Sequence, residues 1–214
     1  MINDTYRHKG LRKILVDEIK KHGIVDENVL SAINKVPRHL FMESGFIEFA
    51  YKDSAFPIGS GQTISQPYTV AVQSELLEIK KGDKVLEVGT GSGYQAAVLF
   101  EMGAKIFTIE RQHNLFLKSQ ILLKKLGYKL QFFFGDGYKG LPTYGPFDKI
   151  IITAGAPFIP EELKLQLKIG GILVIPVGEN SQKMTKLVKV SENEYKTTEH
   201  GDFSFVPFLK GKSK

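Results

Sequence analysis

The stretch Val85-Leu-Glu-Val-Gly-Thr-Gly-Ser-Gly-Tyr94 decides how this chain folds. A short apolar run, broken by one acid at Glu87, ends in glycines at 89, 91 and 93, and a second apolar segment follows from Ala96 to Phe100. Glycine permits backbone conformations closed to other residues, so the pattern predicts a buried strand, a tight turn and a helix opening from it. In an open parallel sheet, ligands lie beyond the carboxyl ends of the strands, where such a turn stands.

Reading outward, strand and helix patterns alternate. Strands are predicted at Lys84–Val88, Lys105–Glu110, Leu130–Phe134, Asp148–Thr153 and Gly171–Val177, with helices at Gly93–Met102, Gln112–Leu126 and Pro160–Lys168. Alternation of this kind means parallel pairing with right-handed crossovers. Phe132-Phe-Phe134 reads as part of a buried strand rather than a surface for stacking bases. Beyond Met184 the period changes: Met184–Val190 alternates polar and apolar, and Phe203–Phe208 reads as a last short strand. Antiparallel edge strands on a parallel sheet are the natural outcome.

Before the core, Leu11, Ile14, Leu15 and Ile19 mark one face of a helix, and Asp26 is placed to cap a second one carrying Val29, Leu30 and Ile33. Tyr51–Gln66 is irregular, with Pro57, Gly59 and Gly61, and its length suggests function. Pro67 then opens a helix to about Ile79. The fold class expected is α/β: a doubly wound, mostly parallel Rossmann-like sheet with antiparallel C-terminal strands and an N-terminal helical subdomain. Residues 1–80 form the helical segment and covering loop, residues 81–214 the ligand-binding core, in one compact domain.

The chain has 214 residues, enough to bury a core without staples. With no cysteine, disulfides, thiolate zinc sites, iron–sulfur clusters and thiol nucleophiles are excluded. The five histidines (8, 22, 39, 113 and 200) show no metal-ligand spacing, so no metal is expected. The N-terminus lacks the apolar core of a signal peptide and no apolar run approaches the length of a membrane span, which points to a cytoplasmic protein with no membrane partner. The net charge of +6 sits at the two ends rather than on one face, so no nucleic-acid partner is expected. A monomer is the expectation, on no sequence feature of its own.

Which ligand does the glycine turn take? A dinucleotide loop needs G-x-G-x-x-G, but Tyr94 stands where its third glycine belongs. A P-loop needs Gly-Lys-Ser/Thr, which is absent. Glu87 beside the loop disfavours phosphate and favours a cation. S-adenosyl-L-methionine offers an amino cation and no phosphate. Glu110, at the end of the second strand and 21 residues after Gly89, stands where a carboxylate accepts from ribose hydroxyls. Asp136, in Gly135-Asp-Gly137 after the third strand, is placed to accept from an adenine amino group.

The glycine loop resembles motif I of class I S-adenosylmethionine-dependent methyltransferases. Pro57-Ile-Gly-Ser-Gly-Gln-Thr-Ile-Ser-Gln-Pro-Tyr68 resembles the hallmark of protein-L-isoaspartate O-methyltransferases in their bacterial form. The similarity continues through Val36-Pro-Arg38 with Phe41, Pro146-Phe-Asp148, Gly170–Gly178 and Phe205-Val-Pro207, in the expected order over nearly the whole chain. The resemblance implies transfer of a methyl group from S-adenosyl-L-methionine to the carboxylate of L-isoaspartyl residues in damaged proteins and peptides. The products would be S-adenosyl-L-homocysteine and an ester that proceeds through a succinimide to normal aspartyl. It implies that Ser65 is the active-site residue and that Gln62, Thr63, Ile64 and Ser65 close over cofactor and substrate. Glu87, Gly89, Gly91, Gly93, Glu110, Arg111, Asp136 and Gly137 would contact the cofactor. Thr63, Ser65, Val206 and Pro207 would contact the substrate.

An Asp-like carboxylate has a pKa near 3.9 and is already ionised at neutral pH, so this reaction needs no strong base. Ser65 is therefore read as a donor that orients the acceptor; it also stands where it can cap the helix at Pro67. Two other readings stay open at this point: another class I methyltransferase acting on a small molecule or RNA, and a non-catalytic module that kept the fold.

Overall fold

The computed structural model describes residues 3–213. Two helices come first: α1 (Tyr6–Lys21), capped by Thr5, and α2 (Glu27–Lys35), whose cap Asp26 accepts from the backbone N–H of Asn28 and Val29. A hairpin, β1 (Phe56–Gly59) and β2 (Gln62–Ile64), leads into α3 (Pro67–Leu77). The core then alternates: β3 (Lys84–Val88), α4 (Tyr94–Glu101), β4 (Lys105–Glu110), α5 (His113–Lys125), β5 (Gln131–Phe134), β6 (Phe147–Ile152), α6 (Glu161–Leu165) and β7 (Leu167–Val177). Two further strands, β8 (Gln182–Lys189) and β9 (Tyr195–Phe203), complete it.

The seven-stranded sheet has the order β5-β4-β3-β6-β7-β8-β9, parallel up to β7 and antiparallel from β7 to β9. This is the doubly wound arrangement expected. The chain winds outward from β3 to β5 and returns to β6 on the other side of β3. The glycine turn after β3 thus sits at the topological switch point. Val85, Leu86, Val88, Ile150, Ile151 and Ile152 are buried because helices cover both faces of the central strands. Residues of α1, α2 and α3 join the same apolar cluster as α4 and β3, so the helical N-terminus packs directly on the core.

Several sequence expectations are corrected. The helix drawn over 160–168 stops at Leu165, because Leu167 already pairs with Phe147 in β7. The edge strand is Tyr195–Phe203, and Ser204–Phe208 leaves the sheet to bond along Gly155 instead. Almost every residue of β9 is exposed, so its sequence carries no apolar alternation to reveal it. Phe132, Phe133 and Phe134 are half-buried, since β5 is an edge strand. On α1, Leu15 and Ile19 are buried but Ile14 is exposed, and Arg12 is buried in its place. Among the described residues no helix is long and apolar enough to cross a membrane.

Candidate active site

The carboxyl ends of β3, β4 and β6 open into a cleft of about 800 Å³, part of it open to solvent. Its floor is the glycine turn. Gly89 has φ +97°, and a Cβ there would meet Thr153 Oγ1 at 2.5 Å, so only glycine fits. Thr153 Oγ1 uses that close approach to donate to the carbonyls of Val88 and Gly89. Gly93 is buried, and a Cβ there would strike Leu123 at 2.6 Å. It serves the packing of α4 on α5, and the structure does not place it in the cleft wall.

Glu110 closes one end of the cleft. One carboxylate oxygen accepts from Gly91 N–H at 2.9 Å and the other from Gln112 N–H at 2.8 Å. A carboxylate has about four acceptor positions, so Glu110 can steady the glycine turn and still accept from a ligand. Arg111 lines the same end, its Nε donating to the Gly211 carbonyl.

Besides Gly93, two further predicted cofactor contacts lie outside the cleft lining. Glu87 is fully buried beneath the turn and does not reach the cleft. Thr108 Oγ1 donates to it at 2.5 Å, and Thr108 Oγ1 is 2.6 Å from Thr90 Oγ1 in the turn. Burial, which penalises the charged form, pushes Glu87 up to about 8. At neutral pH its carboxyl is therefore mostly protonated, and it is no longer the bare anion that the sequence argument used. Asp136 is half-buried, and its two oxygens accept from Tyr138 N–H and Gly211 N–H. It anchors the C-terminal segment across the β4–β5 end, while its neighbour Gly137 does line the cleft.

The opposite wall comes from the hairpin and the turn that links it to α3. Gln62, Thr63, Ile64 and Ser65 face the glycine turn, and Ile58 packs within reach of Gly91. Val206 and Pro207 complete the wall, held where Gly155 N–H donates to the Val206 carbonyl at 2.9 Å. A smaller adjoining cleft of about 320 Å³ is lined by Ala55, Gln66, Thr69 and Phe205, and shares Thr63, Ser65, Thr153 and Val206 with the first. Ser65 thus lies at the junction of two cavities. It is not the helix cap: that position is Gln66, and Asp53 Oδ1 accepts from Tyr68 N–H at 2.8 Å in the first turn of α3.

Sequence reading missed what holds Ser65. Arg38 is completely buried and donates to the carbonyls of Ala50 at 2.7 Å, Ser54 at 2.9 Å and Ser65 at 3.0 Å. Burial lowers it to about 10, so it stays charged at neutral pH. One guanidinium therefore ties Ala50 to Ser54 and Ser65 of the covering segment, a task for which its planar fork of donors is suited. The sequence signal was only that Arg38 follows Val36-Pro37. Thr153, which bonds the glycine turn and borders both cavities, carried no signal at all.

A family model described as protein-L-isoaspartate(D-aspartate) O-methyltransferase matches residues 10–213. The protein-L-isoaspartate O-methyltransferases of Flavobacterium psychrophilum and Christiangramia forsetii are each 60% identical over 213 residues, covering 99% of this chain and 100% of theirs. A solved structure of a protein-L-isoaspartate O-methyltransferase superposes with a TM-score of 0.83 at 28% identity, over 92% of this chain and 65% of that one. A Plasmodium falciparum protein bearing the same family name, solved in complex with S-adenosyl-L-homocysteine, gives 0.79 at 25% identity over 94% and 99%. Sequence, fold and cleft agree: the chain belongs to the protein-L-isoaspartate O-methyltransferase family.

Proposed function

We propose that this enzyme transfers a methyl group from S-adenosyl-L-methionine to the side-chain carboxylate of L-isoaspartyl residues in damaged proteins and peptides. The observation that carries the reading is the position of Ser65, on the border between the cleft floored by the glycine turn and the smaller cleft beside it. A donor in one and an acceptor in the other would meet there.

The residues of the larger cleft suit a phosphate-free nucleoside. Glu110 presents a carboxylate at the ribose position, the turn presents bare backbone, and Arg111 is tied to Gly211 rather than free to clamp a phosphate. In this reading Gln62, Thr63, Ile64, Ser65, Gly89, Gly91, Glu110, Arg111 and Gly137 hold the cofactor directly. Glu87 acts through the Thr108 and Thr90 hydroxyls, Gly93 through the packing of α4 on α5, and Asp136 through the backbone N–H groups it accepts from. When bound, S-adenosyl-L-methionine supplies an electrophilic methyl carbon on a sulfonium, and the C–S bonding pair stays with sulfur as the C–O bond forms. The acceptor is ionised at neutral pH, so no side chain has to remove a proton. The work of the protein is alignment and exclusion of water. The Ser65 hydroxyl donates to one acceptor oxygen, leaving the other to attack, and Thr63, Val206 and Pro207 hold the surrounding peptide backbone.

The same reading takes residues 1–80 as the covering portion and residues 81–214 as the cofactor core. It places the enzyme in the cytoplasm as a monomer without nucleic-acid or membrane partners. The test is methyl transfer from labelled S-adenosyl-L-methionine to a synthetic isoaspartyl peptide, beside its aspartyl isomer. Label should enter the isoaspartyl peptide alone, as an alkali-labile ester. Equal labelling of both isomers, or of neither, would reject the reading.

A further inference from the structure

Away from the cleft, one cluster gathers groups that methyl transfer does not use. Asp4 precedes α1, His8 lies in its first turn, and His39 lies in the short turn after Pro37. One possible ligand atom from each stands within 4.8 Å of the others. The residues are 4 and 31 positions apart along the chain, so sequence spacing shows no metal motif. The His8 and His39 rings lie against each other with centroids 3.8 Å apart and planes tilted by 31°.

His39 supplies the second observation. It is completely buried, and its Nδ1 lies 2.7 Å from Tyr51 Oη. Its Nε2 has no hydrogen-bond partner among the described residues. A buried polar atom left unpaired is costly and rare in folded proteins. Tyr51 Oη also accepts from Arg12 at 3.0 Å, which fixes the tyrosine. An outer hydrogen bond on one ring nitrogen, with the other nitrogen bare, is how ligating histidines are oriented in metal sites.

We propose that Asp4, His8 and His39 bind one divalent transition-metal ion of the zinc type. Two imidazoles and one carboxylate suit such an ion, with water in the fourth position, and suit magnesium or calcium poorly. Binding at Nε2 requires the tautomer whose Nδ1–H donates to Tyr51 Oη. Ligands about 2.0–2.2 Å from zinc lie roughly 3.4 Å apart, so atoms now within 4.8 Å of one another close by up to about 1.4 Å. Residues 3–5 precede α1 and are largely exposed, which leaves room for that closure. Arg12 faces the site as well, donating to both Asp4 oxygens at 3.0 Å. It is held independently by the Asn34 carbonyl and Tyr51, so Asp4 keeps lone pairs for the ion. The nearby guanidinium weakens the site relative to one without a cation. The ion would tie the start of the chain to the residue beside Arg38, the clamp behind Ser65.

The test uses the metal-stripped full chain and zinc alone, by calorimetry and thermal unfolding, with cobalt as a spectroscopic substitute. Expected are one ion per chain, a raised Tm, and visible cobalt absorption of a tetrahedral N/O site, with no effect of magnesium or calcium. His8→Asn, at a half-exposed position, should lower zinc affinity about tenfold or more and leave methyl transfer by the stripped enzyme unchanged. His39→Asn should do the same provided its circular dichroism is native. No uptake, or uptake unchanged in His8→Asn and hence due to His22, His113 or His200, would overturn the proposal.

Discussion

The two walls of the cleft are built in opposite ways. The floor around β3 and β4 is local: a strand, a glycine turn and a helix within Lys84–Glu101, completed by Glu110 on the adjacent strand. The covering wall is assembled from distant parts: the hairpin at 56–64, Arg38 from upstream, and Val206 and Pro207 from near the C-terminus. A local structure repeats a recognisable spacing, whereas a long-range one depends on contacts that no spacing encodes. The floor should therefore supply most of the cofactor affinity, and the covering wall, which also touches the cofactor, should chiefly govern turnover. Five substitutions can break that division or sharpen it.

The largest effect is expected at Gly89. Gly89→Val puts a branched side chain where Thr153 Oγ1 stands 2.5 Å from the ideal Cβ position, at a positive φ that L residues avoid. Cofactor affinity should fall about 100-fold or more, a loss of roughly 3 kcal/mol of binding free energy. Calorimetry with S-adenosyl-L-homocysteine measures it, and a tenfold loss or less would mean that the turn is not the cofactor floor.

Ser65→Ala tests the other wall. Removing one preorganised donor to a reacting oxygen typically costs about 100-fold in kcat. Turnover of an isoaspartyl peptide should drop by about that factor, with S-adenosyl-L-homocysteine affinity changed by less than about twofold. If affinity fell as far as kcat, the two walls would not be functionally separate.

Arg38→Met asks what positions Ser65. The apolar replacement fills similar volume but strips donors from three carbonyls, two of them within the covering segment. A loss of about 3 kcal/mol in stability is expected from urea unfolding. In the fraction that remains folded, kcat should fall more than cofactor affinity. An affinity loss without a kcat loss would place Arg38 in the floor's support instead.

The same contrast explains what could be read in advance. The strands Lys84–Val88 and Lys105–Glu110 are legible to the residue, because buried parallel strands are short, apolar and bounded by turn residues. Ser65 and Val206 are named through resemblance, but nothing in their spacing shows that they meet. β9 escapes because an exposed edge strand has no buried face to imprint a period. Arg12 and Arg38 escape because a charged residue is expected outside. Only the fold reveals the carbonyls that Arg38 satisfies, and the Asp4 carboxylate with the Asn34 carbonyl that Arg12 satisfies.

Glu87 separates what its position suggested from what its surroundings impose. As an anion beside the turn it would attract a cation directly, and neutralising it would be as damaging as removing Glu110. As a buried acid pushed up to about 8, it is already mostly neutral at pH 7 and acts through Thr108 and Thr90. Glu87→Gln should then weaken cofactor affinity by less than about threefold, while Glu110→Ala, which loses a charge-assisted acceptor, should weaken it by about tenfold or more. The pH dependence of stability supplies an independent check. A carboxyl whose folded pKa lies above its unfolded value of 4.5 stabilises the protein less as pH rises, because the native state must give up or retain a proton that the unfolded state has already lost. The stability of Glu87→Gln relative to the parent should therefore rise between about pH 4.5 and 8 and level off above. A flat difference across that window would show that Glu87 is ionised in the folded protein, and the direct electrostatic role would return.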